Sequence, residues 1–467
     1  MNSEFIAVDL GASNGRVIVG RLDGDSIALE EAYRFSTPSA EIGGHLRWDL
    51  DALTAGIREG VERAIRTAPE AKSVSVDSWA VDYVNVDERG RPLGLPYCYR
   101  DRRNEGMIDR AFKTISRERL YEITGIQYLP FNTLFQILAD QAYEPDGQQD
   151  VRNRLLIADY FNHILGGRAV IDLSMASTTH MVDASTQDWS DEILAAFGIG
   201  RSTLPEIVPS GTVIGESADH PGVKVIATCS HDTGAAVAAV PADESSDNWA
   251  YISSGTWSLI GVELERPVLS MDAMRAGFTN EIGLDGRIRF LKNLSGLWIL
   301  QECVREWRAT RPGLSWAELT EQAAAADVGI HRIDVDDPRF MAPGGMLARL
   351  RAYCTEVDVP FPAEPGPLAR LLLESLAAAY ARAVDLVEQV SRRQVDVLHI
   401  VGGGAQNELL CQLAADATGC RVTAGPVEAT ALGNLLVQAR TLGDLPHGVS
   451  IREVVRRSFA PKTYNPQ

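Results

Sequence analysis

Apolar positions along this chain fall into two rhythms. Short runs bounded by polar residues read as strands: F-I-A-V-D-L at Phe5–Leu10, Val17–Leu22, Ser26–Phe35, the apolar run that opens Val225–Val237, and V-D-V-L-H-I-V at Val395–Val401. Ser73–Val86, S-V-S-V-D-S-W-A-V-D-Y-V-N-V, alternates small polar with apolar residues, as a strand does. Elsewhere the apolar spacing lengthens to three or four. Leu53, Ile57, Val61 and Ile65 mark one face of a helix capped by Asp49. Leu372, Leu376, Ala379, Ala383, Leu386 and Val390 mark a long helix from about Pro367 to Arg392. Gln406–Thr418 predicts another, stopped by Gly419. Asp109–Leu165 reads as mostly helical, and Asn293–Trp307 as a helix carrying Gln301.

The order of these elements matters more than any one of them. Two opening strands enclose the polar segment Gly11-Ala12-Ser13-Asn14-Gly15-Arg16, so that segment is a turn between strands. After the polar stretch P-A-D-E-S-S-D-N at Pro241–Asn248, the pattern restarts. Trp249–Ser253 and Trp257–Glu263 flank Ser254-Gly255-Thr256. The echo predicts two domains of related fold, residues 1–243 and 244–460, each a mixed sheet flanked by helices, in the α/β class.

Composition narrows the class of ligand. The 467 residues are 45% hydrophobic and 23% charged, ordinary values for a globular chain long enough for two cores. A formal charge of −19 argues against nonspecific attraction to nucleic acid or anionic membrane, so an anionic ligand must be held by local groups. The first residues lack the pattern of a signal peptide, and no apolar run is long enough to span a bilayer; a cytoplasmic protein is expected. Cys98, Cys229, Cys303, Cys354, Cys411 and Cys420 form no Cys-x-x-Cys pair and are expected to be reduced thiols.

Three stretches carry candidate chemistry. In V-I-A-T-C-S-H-D-T-G-A-A-V, Asp232 follows a strand and opens a small-residue helix, where a carboxylate can act as general base toward a hydroxyl or simply cap the helix. The Gly11–Arg16 turn fits neither a P-loop nor a dinucleotide fingerprint. Its amides, the Ser13 hydroxyl and the Arg16 guanidinium can still hold phosphate, unless it is an ordinary hairpin with positive angles at Asn14-Gly15. Asp9, inside a buried strand, needs a metal, water or donor to offset its burial. Gly402-Gly403-Gly404, between strand and helix, either lets a flat ligand or phosphate approach the backbone or makes a tight, closely packed turn. Two further segments read as surface or as sugar contacts: the charged run Arg100–Arg103 and the Ser/Thr-rich Asp172–His180.

Taken together, V-D-L-G-A-S-N-G-R, S-H-D-T-G-A-A-V, S-S-G-T-W-S-L, H-I-V-G-G-G-A-Q-N and G-P-V-E-A-T-A-L-G-N resemble the carbohydrate kinases of the FGGY family. D-S-W-A-V-D-Y, G-L-P-Y-C-Y-R-D, L-P-F-N-T-L-F-Q and L-K-N-L-S-G-L-W-I-L-Q resemble more narrowly the members that act on L-rhamnulose. The resemblance runs in register over nearly the whole chain. It implies two actin-like, ribonuclease H-like domains with the active site in the cleft between them, and ATP-dependent phosphorylation of the ketose at its 1-hydroxyl. By the same resemblance Asp232 is the catalytic base, and His231, Thr233, Asn293 and Ala80 are substrate positions. Ala12, Ser13, Asn14, Gly15 and Arg16 hold phosphate, Thr256, Gln301 and Gly403 contact ATP, and Asp9 stands near Mg2+. The L-rhamnulose kinases carry glycine where this chain has Ala80, which leaves another ketose or a polyol open as the substrate. The partners expected are the sugar and ATP, with the protein a monomer or a homodimer.

Overall fold

A computed structural model describes residues 3–327, 329 and 331–467. The chain folds into two compact units that do not follow the order of the sequence. The first comprises residues 1–241, 263–290 and 429–458; the second comprises 242–262, 291–428 and 459–467.

In the first unit a six-stranded mixed sheet runs in the order Thr212–Glu216, Lys224–Ala227, Ala71–Ser78, Ser3–Leu10, Asn14–Asp23, Ser26–Ser36. Ser3–Leu10 pairs antiparallel with Asn14–Asp23 and parallel with Ala71–Ser78, which is itself parallel to Lys224–Ala227. Three neighbouring strands therefore point their carboxyl ends the same way. The residues that end or follow them, Asp9, Asp77 and Ser230-His231-Asp232, come to one edge. Asp9 and Asp77 are register partners, and Ser78 bridges to His231. Open α/β sheets place ligands at such an edge because the loops there are free of sheet hydrogen bonds.

Two helices pack against this sheet from opposite faces. Leu50–Thr67 starts at Asp49, whose carboxylate accepts from the Ala52 amide at 3.0 Å, and buries Leu53, Ile57 and Val61 as its spacing predicts. Ala429–Thr441 is buried along most of its length and carries two side chains that bond the sheet. Gln438 donates to the Ile6 carbonyl at 2.9 Å and accepts from Ser73 at 2.6 Å, and Asn434 donates to Asp77 Oδ2 at 2.6 Å. The amide side chains thus replace apolar packing with a specific register between helix and strands.

The second unit repeats the plan. Trp249–Ser254 pairs antiparallel with Trp257–Leu264 and parallel with Val397–Val401, which is followed by Arg421–Ala424 and Lys462–Tyr464. The long helix Pro365–Ser391 runs a little earlier at its start than its spacing suggested, with proline in its first turn. All six cysteines are free and buried. Among the described residues no helix is long and apolar enough to cross a membrane.

Candidate active site

Asp232 is the first residue of the short helix Asp232–Ala238, and His231 is its N-cap residue. The capping alternative fails on geometry. Asp232 Oδ1 accepts from the amide and hydroxyl of its own neighbour Thr233, at 2.5 and 3.1 Å, where a cap would reach an amide two or three positions ahead. About 33% of its side chain is exposed, so a ligand can reach the carboxylate. Burial of the surrounding site pushes its pKa up; His231 draws it down, and the charge of Asp9 adds to the rise. A carboxylate lifted toward neutrality is a better proton acceptor at working pH than an ordinary aspartate.

The loop that presents it is held by a buried polar scaffold. Asp172 Oδ1 accepts from the Ser174 amide at 2.9 Å and the Ser230 amide at 3.3 Å, and the Ser174 hydroxyl, which donates to the same carboxylate, accepts from the His231 amide at 3.1 Å. Burial raises the Asp172 pKa to about 6 against these donors. The Ser/Thr-rich segment read from the sequence as a source of sugar contacts is otherwise occupied. Ser177, Thr178 and Thr179 are buried and donate to the carbonyls of Ser174, Met175 and Ala176 at 2.7–3.0 Å.

The opening turn lies at the same edge of the first unit. Ser13 and Asn14 form its exposed tip, and the Gly11 amide bonds the Asn14 carbonyl at 3.0 Å. No positive φ occurs at Asn14 or Gly15. Gly15 instead lies in a strand where a Cβ would come within 2.4 Å of the Phe35 ring, so the glycine answers packing and not turn geometry. Asp9 is offset by an ion pair with Arg16. Beside it Asp77 is fully buried, with its Oδ1 lacking any protein hydrogen-bond partner. Burial, then the charge of Asp9, raises the Asp77 pKa well above the ordinary range, while Asn434 opposes the shift.

These carboxylates bear on magnesium. Among the described residues no three acidic, His or Cys side chains could enclose a metal ion by themselves. Mg2+ commonly takes only one or two carboxylates, with water and substrate phosphates supplying the rest. An acidic edge beside the candidate phosphate turn, with an orphaned carboxylate oxygen at Asp77, fits an ion held in that way.

Ala80 sits at a break in the alternating run Ser73–Val86. The Asp82 amide reaches back to the Ala80 carbonyl at 3.0 Å across Val81, whose φ is 71°. A β-branched residue in the left-handed region is strained, and here the Val81 carbonyl is pinned by Thr133 at 2.8 Å and Gln136 at 3.3 Å. The buried Asp82 carboxylate holds the other side. It accepts from Trp48 Nε1 at 2.7 Å, Trp79 Nε1 at 3.0 Å, the Tyr99 amide at 3.1 Å and Gln136 at 2.9 Å. Even so, burial lifts its pKa to about 6.

The charged run Arg100–Arg103 departs from the solvated reading. Asp101 and Arg103 are buried, Asp101 accepting from the Leu46 amide at 2.6 Å and Arg103 pairing with Asp140.

Candidate ATP residues of the second unit also converge. Thr256 donates to Gln301 Oε1 at 3.2 Å. The Leu297 and Trp298 amides donate to the Gly255 and Thr256 carbonyls at 2.9 and 3.2 Å, which seats the start of the helix Trp298–Thr310 on the turn. Gly402 and Gly404 pack on Ser254, whereas a Cβ at Gly403 would meet nothing within 4 Å. Asn293 corrects the sequence reading: it lies on the strand Ile288–Ser295, and the helix begins at Trp298. Sequence reasoning also passed over Glu281 and Arg289, which back His231. The one signal was an arginine between apolar residues in I-R-F-L.

Residues 5–238 match the N-terminal domain, and residues 250–442 the C-terminal domain, of the FGGY family of carbohydrate kinases. The chain belongs to this family. Among its FGGY relatives, the protein named rhamnulokinase from Oceanobacillus iheyensis is 38% identical over 465 residues, covering 98% of this chain and 97% of the relative. Those from Enterococcus faecalis and Bacteroides thetaiotaomicron are also 38% identical, covering 98% and 100% of this chain and 94% and 96% of the relatives. The fold is that of solved FGGY kinases with the two-domain actin-like architecture. A ligand-bound xylulose kinase from Lactobacillus acidophilus superposes with a TM-score of 0.80 at 16% identity, covering 100% of this chain and 94% of that one. A glycerol kinase from Plasmodium falciparum with ADP gives 0.78 at 17% identity, with the same coverage.

Proposed function

We propose that this FGGY kinase transfers the terminal phosphoryl group of ATP to the 1-hydroxyl of L-rhamnulose, giving L-rhamnulose 1-phosphate and ADP. The observation that carries the substrate is 38% identity to three proteins named rhamnulokinase over almost their full lengths. Residues 1–243 would bind the sugar and supply the base, and residues 244–460 would bind the nucleotide. Phosphoryl transfer requires little covalent chemistry of the protein, so its work is to position reactants and neutralise charge. Asp232 accepts the proton of the attacking hydroxyl, with His231, Thr233, Asn293 and the backbone at Ala80 orienting the sugar. Ala12, Ser13, Asn14, Gly15 and Arg16 cradle the phosphates; Thr256, Gln301 and Gly403 contact the nucleotide. Mg2+ near Asp9 would neutralise phosphate charge. The setting is cytoplasmic sugar catabolism.

A second reading rests on Ala80. Its methyl, carried on a backbone held rigid by the strained Val81, can crowd the ligand, which favours a different ketose or polyol. One experiment separates the two. ADP release is measured against a panel of ketoses and polyols for the wild type, Asp232→Asn and Ala80→Gly. L-rhamnulose should give the highest kcat/KM, and Asp232→Asn should lose roughly two to four orders of magnitude in kcat with ATP affinity retained. A different preferred sugar in the wild type overturns the substrate. Near-normal turnover by Asp232→Asn removes the base.

A further inference from the structure

Behind the candidate base, inside the first unit, lies a three-member polar cluster that the phosphoryl-transfer scheme does not use. Arg289 is completely buried, and the side chains of Glu281 and His231 are each about 9% exposed. Arg289 Nη2 lies 3.0 Å from His231 Nδ1 and 3.1 Å from Glu281 Oε2, and Glu281 Oε2 is 3.3 Å from His231 Nδ1. On the far side of the ring, His231 Nε2 is 3.4 Å from Asp232 Oδ1.

Donor and acceptor chemistry restricts what this geometry permits. A guanidinium has five N–H donors and no acceptor, so a neutral imidazole meeting it at Nδ1 presents a lone pair there. The ring proton is then on Nε2, the nitrogen beside Asp232. Glu281 alone would favour the opposite tautomer, since a carboxylate draws an N–H toward itself. Arg289 opposes this by donating to Nδ1 and by pairing its charge with Glu281, whose Oε2 has no hydrogen-bond partner of its own. Although Glu281 is buried, which opposes ionisation, the charge of Arg289 holds its pKa below the ordinary carboxyl range. The charges facing the imidazole are thus Arg289 and Glu281 on one side, which cancel, and Asp232 on the other.

The cluster is poorly built for stability alone. Arg289 Nε and Nη1 have no protein hydrogen-bond partner, and an incompletely satisfied buried cation destabilises a fold relative to an apolar side chain of similar volume. Groups kept against that cost commonly serve a site.

We infer that Arg289, with Glu281, is a positioning residue that fixes His231 as its Nε2–H tautomer, so that the ring presents a donor to a sugar oxygen next to the catalytic carboxylate. Without ligand, that N–H faces Asp232. With sugar bound, it can donate to a ketose oxygen and leave Asp232 free to take the proton of the attacking hydroxyl. This inference rests on His231 as a sugar contact, and its test is chosen to be separable from that reading.

The measurement is the 15N spectrum of the full-length protein labelled at histidine, with His231 assigned by His231→Gln, alongside steady-state kinetics. At a pH where the ring is neutral, His231 in the wild type should show protonated Nε2 and unprotonated Nδ1. Arg289→Met should transfer the proton to Nδ1, facing Glu281, and raise KM for the sugar about tenfold or more while KM for ATP stays within twofold. Arg289→Lys keeps a donor at Nδ1 and should recover the Nε2–H signature and most of the sugar affinity. A folded Arg289→Met variant with unchanged tautomer and unchanged sugar KM overturns the proposal. Should that variant not fold, the wild-type spectrum still decides, because an Nδ1–H tautomer overturns the proposal without any variant. An Nε2–H ring in an enzyme that prefers another sugar refutes the substrate reading alone. An Nδ1–H ring in an enzyme active on L-rhamnulose refutes this inference alone.

Discussion

Gly433 gives the sharpest test of how the proposed base, Asp232, is held. It lies within the helix Ala429–Thr441, where glycine costs about 0.5–1 kcal/mol relative to alanine, and the reason it is there is contact with the helix that begins at Asp232. A Cβ at 433 would sit 1.8 Å from the Ala235 carbonyl oxygen and 2.6 Å from its carbon. Restoring an ordinary contact of roughly 3.4 Å requires the two helices to part by about 1.6 Å. The longer helix cannot retreat cheaply, because Gln438 and Asn434 tie it to Ile6, Ser73 and Asp77. The seven-residue helix carrying Asp232 therefore has to yield, or else Asn434 must withdraw from Asp77.

Overpacking of this kind costs about 1–3 kcal/mol, offset by up to about 1 kcal/mol of regained helix propensity. Gly433→Ala should lower Tm by a few degrees, roughly 2 °C per kcal/mol for a unit of this size. The kinetic effect should be larger than the thermal one, since a shift on the order of 1 Å at a reacting group can cost about a hundredfold in rate. A coupled ADP-release assay and a thermal melt on the same preparation supply both numbers. Wild-type kcat together with a wild-type Tm would refute the claim that this glycine is required by the approach of the two helices. A lowered Tm with unchanged kcat would refute the claim that the contact positions Asp232.

Two other substitutions and conditions read out separate groups. Gly403 has neither a positive φ nor any atom within 4 Å of a Cβ, so Gly403→Ala should leave Tm unchanged; a several-fold rise in KM for ATP would then come from the ligand, and an unchanged KM removes Gly403 from the nucleotide site. The acid limb of kcat/KM should lie above the ordinary aspartate value of about 3.9, because the base works ionised and burial has raised Asp232. The same shift has a sign for stability: the folded state holds the Asp232 proton more tightly than the unfolded chain, so ionised Asp232 destabilises the fold above its folded pKa and not below its unfolded one. Asp232→Asn should accordingly be more stable than the wild type at neutral pH, with the gap closing as pH falls toward about 4. A gap that widens on acidification would contradict the raised pKa.

How much of this was legible beforehand depends on the distance over which each feature is determined. The two strand-turn-strand units and the capped helix after Asp49 are local, set by alternation and by a single cap, and they stand where the pattern put them. Asp232 was legible for the same reason, being the polar stop of an apolar run. Asn293 was misplaced because a strand and a helix compete for L-K-N-L-S-G-L-W, and the outcome is decided by a turn some forty residues earlier. The Gly296, Leu297 and Trp298 amides are taken up by the carbonyls of Gly255 and Thr256, so extended backbone persists through Ser295 and the helix begins only at Trp298. Asp101 and Arg103 read as a solvated run because their partners, Leu46 and Asp140, are remote in sequence. Glu281 and Arg289 are the extreme case, separated from His231 by 50 and 58 positions and brought to it only by tertiary folding. Periodicity predicts which face of an element is buried, but it is silent on which buried charge will meet which. The polar groups that support the proposed base are therefore the part of the candidate site that the fold alone reveals.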